Sequence, residues 1–388
     1  MIYKRIICFS CCAVFSVLLS PFLSGKTLQE GRAETTVSSI YKNFAVEGTC
    51  LFRETYPFDE HFKASYLASE DMADCKQYSY LWPFSSVLSA VTAMADTDWK
   101  YLELLQSKVL PGLEEYFDRS RQPEAYSSYI VSAPRSDRFY DDNIWLGIDF
   151  CDIYRITGNK GYLDKAETIW RFIESGTDRK LDGGVYWCEQ KKESKNSCSN
   201  APGAVLAFRL YQETGNKAYL EKGMELYDWT WSHLRDREDG LYYDNISIDG
   251  KIDKRKFAYN SGQMLQAATL LYRITGKKRY LHEAKELAES CSTRFFEYRQ
   301  TDGGKRYLLK QGNIWFSAIM LRGFIELYKT DGKDKYIRYF KDSMDYLWNE
   351  KRDDNGLFET DDRKKGSKIH LLSQGAVAEM FARLDKIK

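Results

Sequence analysis

Tyr154-Arg155-Ile156-Thr157-Gly158, leading to Tyr162-Leu163, returns three more times along the chain. The copies are Tyr211-Gln212-Glu213-Thr214-Gly215 with Tyr219-Leu220, Tyr272-Arg273-Ile274-Thr275-Gly276 with Tyr280-Leu281, and Tyr328-Lys329-Thr330-Asp331-Gly332 with Tyr336-Ile337. Asp96-Thr97-Asp98-Trp99 before Tyr101-Leu102 is a fainter copy. The spacing is about 60 residues, longer than the common solenoid repeats. Each glycine suits the position just past a helix, where a left-handed residue ends it. The Tyr-Leu pair opens the next helix, in which Ala166, Ile169, Trp170 and Ile173 recur at helical spacing. Each unit is therefore expected to be two antiparallel helices joined by a short turn.

The other ends of these hairpins carry turn signals followed by aromatics: Asp182-Gly183-Gly184-Val185-Tyr186-Trp187, Asp239-Gly240-Leu241-Tyr242-Tyr243, Asp302-Gly303-Gly304 and Asn355-Gly356-Leu357-Phe358. Helix starts follow the longer loops, at Tyr80-Leu81-Trp82-Pro83, Asp141-Asp142-Asn143, Ser199-Asn200-Ala201-Pro202, Tyr259-Asn260-Ser261, Asn313-Ile314-Trp315 and Ser373-Gln374-Gly375. They lead into the most apolar helices, such as the one bearing Leu265, Ala268 and Leu271, which should lie inside. The alternate helices carry more lysine and glutamate and should lie outside. The simplest closed solution is an all-α (α/α)6 barrel of six helical hairpins. An open superhelix of helix pairs is the alternative. Short turns would occupy one rim, and long aromatic loops with the inner-helix N-termini the other.

The net charge is +1 and the hydrophobic fraction 43%, a balance that points to neither nucleic acid nor an acidic membrane as partner. Lys4 and Arg5 precede an apolar run from Ile6 to Leu23, then Ser24 and Gly25. The pattern reads as a signal peptide over residues 1–25, hence an exported, periplasmic or extracellular protein with one barrel domain over 26–388. Export permits disulfides. Cys188 with Cys198 is the first pairing to expect and Cys50 with Cys75 the second, while Cys151 reads as a small buried hydrophobe.

Chemistry is expected at the aromatic rim. Asp141 and Asp142 open an inner helix, whose free N–H groups and dipole favour an anionic carboxylate. Two such groups can serve as an ionised nucleophile and an acid/base in glycoside cleavage. The same Asp-Asp-Asn is also an ordinary capping sequence. Tyr140, Trp145, Tyr186, Trp187, Tyr242, Tyr243, Tyr259 and Trp315 recur at corresponding rim positions and could pack on sugar faces. Asn143, Asn200, Asp244 and Asn260 could bind hydroxyls. Lys191, Lys192 and Lys195 read as a solvated basic loop. The four histidines are scattered. No H-E-x-x-H, G-x-S-x-G, Walker or dinucleotide motif occurs in a suitable context.

Tyr140-Asp141-Asp142-Asn143-x-Trp145, Gly183-Gly184-Val185-Tyr186-Trp187, Lys195-Asn196-x-x-Ser199-Asn200-Ala201-Pro202, Leu206-Ala207-x-Arg209-Leu210-Tyr211 and Tyr259-Asn260-x-Gly262 occur in this order. Together they resemble glycoside hydrolase family 76, the bacterial endo-α-1,6-mannanases and their fungal cell-wall relatives. The likeness runs from Tyr80 onward. It implies an (α/α)6 barrel and a retaining enzyme with Asp141 as nucleophile and Asp142 as acid/base. It implies α-1,6-linked mannan or mannooligosaccharide as substrate and no metal or organic cofactor. A monomer is expected. Three departures stand out: Tyr186-Trp187 where Trp-Trp is frequent, Ser261 where glutamine is frequent, and Asn245 where histidine is common. These fall where sugar subsites are expected. A mannan transglycosylase sharing the covalent intermediate stays open. So do a non-catalytic glycan-binding protein on this scaffold, a sugar epimerase and an unsaturated-uronide hydrolase. Endo against exo action also stays open.

Overall fold

Every residue of the Thr-Gly step has a task in the computed structural model, which describes residues 28–68, 77–301, 303–360 and 368–387. At the first copy the Gly158 N–H donates to the Tyr154 carbonyl with the glycine left-handed at φ 68°. The Thr157 hydroxyl donates back to the Ile153 carbonyl and accepts the Asn159 N–H. Asn159 then caps the next helix by accepting the Gly161 N–H at 3.0 Å. Gly215, Gly276 and Gly332 repeat the glycine geometry. A helix end and a helix start are thus satisfied within three residues. The fainter copy lacks glycine, and there Asp98 alone caps by accepting the Lys100 N–H.

In chain order the helices are α1 (Leu28–Phe44), α2 (Leu81–Ala95), α3 (Trp99–Leu104), α4 (Leu110–Glu114), α5 (Tyr140–Thr157), α6 (Lys160–Ser175), α7 (Ser197–Thr214), α8 (Lys217–Leu234), α9 (Ala258–Thr275), α10 (Lys278–Phe295), α11 (Ile314–Asp331), α12 (Lys335–Glu350) and α13 (Leu371–Asp385). A π-helical turn over Leu105–Val109 joins α3 to α4 as one outer helix. Helices α2, α5, α7, α9, α11 and α13 each pack on the next, and α13 returns to α2. The ring is closed, so the open superhelix is excluded. Helices α1, α3–α4, α6, α8, α10 and α12 lie outside it, and the fold is the (α/α)6 barrel the repeat implied.

Apolar and small residues face both ways on the inner helices, so they are buried nearly all round, whereas α6, α10 and α12 bury one stripe. Closure depends on backbone approach. A Cβ on Gly375 of α13 would stand 2.1 Å from the Ser86 hydroxyl oxygen and 2.7 Å from the Ser86 carbonyl carbon. Gly323 meets the Gly262 carbonyl in the same manner where α11 crosses α9. Gly375→Ala should therefore destabilise by about 1–3 kcal/mol through overpacking. The loss would appear as a lower urea midpoint at unchanged slope, and an unmoved midpoint would show that the α13–α2 seam tolerates a methyl group.

Short strands decorate the long-loop rim: β1 (Thr55–Tyr56), β2 (Phe117–Asp118), β3 (Ala125–Tyr126), β4 (Ser194–Asn196), β5 (Asn245–Ser247), β6 (Ile252–Asp253), β7 (Phe296–Thr301), β8 (Gly304–Leu309) and β9 (Ile369–His370). All pairings are antiparallel. β1 pairs with β9, Thr55 opposite His370, so the first rim loop is stitched to the last inner helix. β4, β5 and β6 form a three-stranded sheet with Lys195 opposite Ile246. Residues 1–25, Cys75 and Asp302 lie outside the described residues.

The barrel axis is polar between its two rims. Arg322 of α11 donates through Nε to Glu379 of α13 at 2.7 Å and stands 3.5 Å from Asp149 of α5. Ser89 of α2 donates to Asp149, and Arg383 donates to Glu379. Nearby, Arg209 of α7 and Arg273 of α9 converge on Glu326 of α11. All six inner helices contribute to this belt. The charges interrupt apolar helices, and sequence patterning did not single them out.

Candidate active site

The first turn of four inner helices, α5, α7, α9 and α13, grips the loop that precedes it. The Asn143 side chain accepts the Tyr126 N–H at 2.8 Å and donates to the Tyr126 and Phe139 carbonyls. Asn200 does the same with the Val185 N–H and the Val185 and Asn196 carbonyls. Gln374 accepts from and donates to Phe358. Ser261 only accepts the Tyr242 N–H. A buried amide that mimics a strand partner satisfies groups that would otherwise be stranded. Asn143 and Asn200 were expected to meet sugar hydroxyls. They are buried, and their polar atoms serve these backbone groups. The Ser261 departure likewise falls on a clamp rather than on a subsite.

With the loops so held, one cleft of about 360 Å³ opens on this rim. Its floor carries Asp141 and Asp142, both in the first turn of α5. Trp82, Trp145 and Trp315 form one wall, with Trp315 meeting the other two edge-on at 5.2 and 5.3 Å. Tyr259 stacks on Phe316 at 4.3 Å, and Phe257 extends that surface. Trp187, Asn196, Cys198, Asp244, Asn245 and Arg255 complete the opposite side. Ser65, Tyr66 and Leu67 close over Trp82, and the Tyr66 hydroxyl donates to the buried Glu54 at 2.6 Å. Burial pushes the Glu54 carboxyl up to about 7, although Tyr66 and the Tyr80 N–H both donate to it.

Asp141 and Asp142 differ in their surroundings. The Trp187 indole N–H donates to Asp141 Oδ2 at 3.1 Å, while Oδ1 is buried without a hydrogen-bond partner. Burial raises the Asp141 carboxyl, and the Cys198 thiol, the Asp142 N–H and Trp187 each pull it back. Burial raises Asp142 much further, reinforced by the Asp141 charge beside it. The helix N-terminus was expected to hold an anion, but crowding at the cleft floor outweighs it for Asp142. One carboxyl is set to ionise while its neighbour keeps a proton, the division of labour that acid/base chemistry needs.

Of the other residues singled out, Trp145, Trp187, Asp244, Tyr259 and Trp315 line the cleft with the aspartates. Tyr140 does not: it is fully buried and stacks on Phe172 of α6 at 4.6 Å. The Tyr186 hydroxyl donates to Asp178 at 2.7 Å, away from the cleft. Tyr243 turns to Asp236 and Lys256. Asn260 is buried behind Asp244, to which it donates at 3.4 Å. Lys195 is no solvated residue. It is fully buried, donating to Asp178 at 2.8 Å and to the Lys180 and Gly183 carbonyls. Cys188 and Cys198 are both free thiols, so the expected disulfide is absent. Cys188 faces Gln190, while Cys198 opens into the cleft. Cys151 is buried, as its apolar setting suggested.

Sequence reasoning missed Tyr66, Trp82, Cys198, Arg255, Phe257 and Phe316 as cleft residues. Trp82 was findable, since it occupies an inner-helix start like Trp145 and Trp315. Tyr66 and Arg255 sit in loops outside the repeat and carry no such signal. Among the described residues no group of three or more His, Cys, Asp and Glu is placed to hold a metal ion.

The buried acid pair should weaken the fold. A carboxyl whose folded-state pKa is raised contributes stability below its unfolded value and loses it as pH rises through the folded one. Asp142→Asn should therefore be more stable than the parent by about 0.5–2 kcal/mol at neutral pH. The gap should close in acid, where Asp142 is protonated in both states. Urea unfolding at pH 5 and pH 8 measures it, and equal gaps at both pH values would contradict the burial argument.

The model of Glycosyl hydrolase family 76 matches residues 56–307 of the chain. A glycoside hydrolase family 76 mannosidase from Bacteroides thetaiotaomicron has a similar structure, with TM-score 0.83 and 33% identity, covering 92% of this chain and 98% of that one. A second similar structure is an inactive variant of an α-1,6-mannanase from a Salegentibacter species in complex with α-1,6-mannotriose. Two consecutive aspartates are replaced by asparagine in it. The TM-score is 0.73 at 25% identity, over 92% of this chain and 99% of that one. A mannan endo-1,6-alpha-mannosidase of Candida albicans is 27% identical over 146 residues, which span 35% of this chain and only 32% of that relative.

Proposed function

The chain belongs to glycosyl hydrolase family 76, and we propose that it cleaves α-1,6-mannosidic bonds of α-mannan with retention of anomeric configuration. Asp141 is the nucleophile and Asp142 the general acid/base in this reading. The observation that carries it is the adjacent carboxyl pair on the floor of a tryptophan-walled cleft, one with a free oxygen and one held protonated. The family's similar structures support the substrate. One of them is a mannosidase and another an inactive α-1,6-mannanase variant holding mannotriose.

In the first step Asp142 gives its proton to the leaving glycosidic oxygen as Asp141 Oδ1 bonds to the anomeric carbon. The Trp187 indole holds Oδ2, which fixes the carboxylate plane and leaves Oδ1 for attack. In the second step Asp142, now ionised, takes a proton from water. The water oxygen replaces Asp141 at the same carbon, and both carboxyls return to their starting states. The indole faces of the wall suit the apolar C–H faces of mannose rings, and Asp244, Asn245 and Asn196 offer polar partners for hydroxyls. Export, supported by the Lys4-Arg5 start and the apolar run after it, belongs to the same proposal. Among the described residues no helix is long and apolar enough to cross a membrane.

Digestion of linear α-1,6-mannan with products sized over time tests the reading. Shorter mannooligosaccharides are expected. Chains longer than the substrate would favour transglycosylation, and an unchanged size distribution would refute the activity.

A further inference from the structure

We propose that Tyr66 is a sugar-binding residue that closes the Trp82 side of the cleft, and that Glu54 is its positioning residue, holding the tyrosine by its hydroxyl. The inference rests on the mannan reading given above. Glu54 lies just before β1, is only 5% exposed and does not itself line the cleft. Its two carboxyl oxygens have separate tasks. Oε1 accepts the Tyr66 hydroxyl at 2.6 Å, and Oε2 accepts the Tyr80 N–H at 3.0 Å. Tyr80 is the N-cap residue of α2, and Trp82 stands in the first turn of that helix. One carboxyl thus ties the tyrosine of a rim loop to the start of the helix that carries the tryptophan. The Glu54 carbonyl accepts the Leu371 N–H at 3.0 Å, so the backbone beneath is fixed to α13.

The Tyr66 ring meets Trp82 edge-on at 5.1 Å and 85°, and Tyr80 edge-on at 6.0 Å. Tyr66 and Trp82 line the cleft together with Asp142. Two rings at right angles make a corner with two apolar surfaces, which can hold a pyranose ring against sliding. Burial of Glu54 needs a reason. Among the described residues no lysine or arginine pairs with it, and a buried carboxyl without a cation weakens a fold. An apolar residue would pack there without that penalty. It would lack an acceptor for the Tyr66 hydroxyl. Elsewhere the same loop is held by Lys368 on Asp59 and by Phe62 against His370 at 5.4 Å. Those contacts fix the loop and leave the Tyr66 side chain to Glu54.

Four variants of the full chain test this, by initial rates on α-1,6-mannotetraose. Tyr66→Ala should raise KM by about tenfold with kcat changed by less than about threefold, the pattern of lost ground-state binding. Glu54→Leu should raise KM by about fivefold, and Tyr66→Phe, which keeps the ring and loses the same bond, should move KM the same way. Glu54→Gln should stay within about twofold of the parent, because its amide accepts the Tyr80 N–H and donates to the Tyr66 hydroxyl oxygen. A tyrosine that only stiffens the loop would lower urea midpoints and leave KM alone. A Tyr66→Ala KM within about twofold of the parent overturns the sugar contact. Equal KM for Glu54→Leu and Glu54→Gln overturns the positioning role, as does a parental KM for Tyr66→Phe should Glu54→Leu not fold. If the parent cleaves no mannan, the hydrolase reading fails by itself. Calorimetric binding of mannotetraose then decides the contact: about tenfold weaker binding by Tyr66→Ala upholds it, and equal or absent binding overturns it.

Discussion

Asp141→Asn and Asp142→Asn should each lower kcat on α-1,6-mannan by about 10³-fold or more while the protein stays folded. The two losses have different origins. Without Asp141 there is no atom to carry the glycosyl group, since an amide oxygen held by Trp187 is a poor nucleophile. Without Asp142 the leaving oxygen departs as an alkoxide, so the deficit should shrink for substrates whose leaving group needs no proton. An activated aryl α-mannoside separates the cases: it should rescue the first step in Asp142→Asn and not in Asp141→Asn. Because the pair acts as a unit, the double variant should be little worse than the poorer single one. Initial rates with matched circular dichroism spectra decide the matter, and either single variant within tenfold of the parent would remove the pair from the mechanism.

Arg322→Met should cost about 3–5 kcal/mol of stability, the range for leaving buried charges unpaired. Arg322 is the cation that Asp149 and Glu379 share on the barrel axis. Burial already pushes Asp149 up to about 6 despite that neighbour. Methionine fills the space, so the deficit reads the acids short of a cation rather than a cavity: Asp149 loses its cationic partner, while Glu379 keeps Arg383. The sign with pH follows: at pH 5 the stranded carboxyls can take up protons, and at pH 8 they must stay charged, so the deficit should grow as pH rises. Replacing Asp149, Arg322 and Glu379 together by apolar residues of similar size should restore much of the loss. Urea midpoints at both pH values measure this. A deficit below about 1 kcal/mol at pH 8 would mean the axis is well hydrated and the belt is not a source of cohesion.

The barrel was legible because its repeat is local. Thr157-Gly158 and its copies end and start helices through contacts within a few residues, so spacing and residue type suffice to find them. The ring itself followed from counting such units. The acid pair was legible for the same reason, standing at a repeated helix start. The roles of Asn143 and Asn200 were misjudged because a polar residue at a helix start can face a ligand or a strand. Only the path of the preceding loop decides, and those loops differ in length. Cys198 was misjudged because Cys188 is near in sequence, whereas α7 sets Cys198 on the cleft with Asp141 and Tyr259. Lys195 was taken for a surface charge because the carbonyls that hold it, Lys180 and Gly183, belong to a loop the sequence pattern does not place.

In the proposed reaction Asp141 takes up the glycosyl group and hands it to water on the face from which the leaving group departed. Proton NMR of an α-1,6-mannooligosaccharide digest, followed from the first seconds before mutarotation, tests that directly. The α-anomer of the new reducing end should appear first, and the β-anomer should follow only by equilibration. A β-anomer formed first would contradict a covalent intermediate on Asp141, and no new reducing end at all would contradict cleavage.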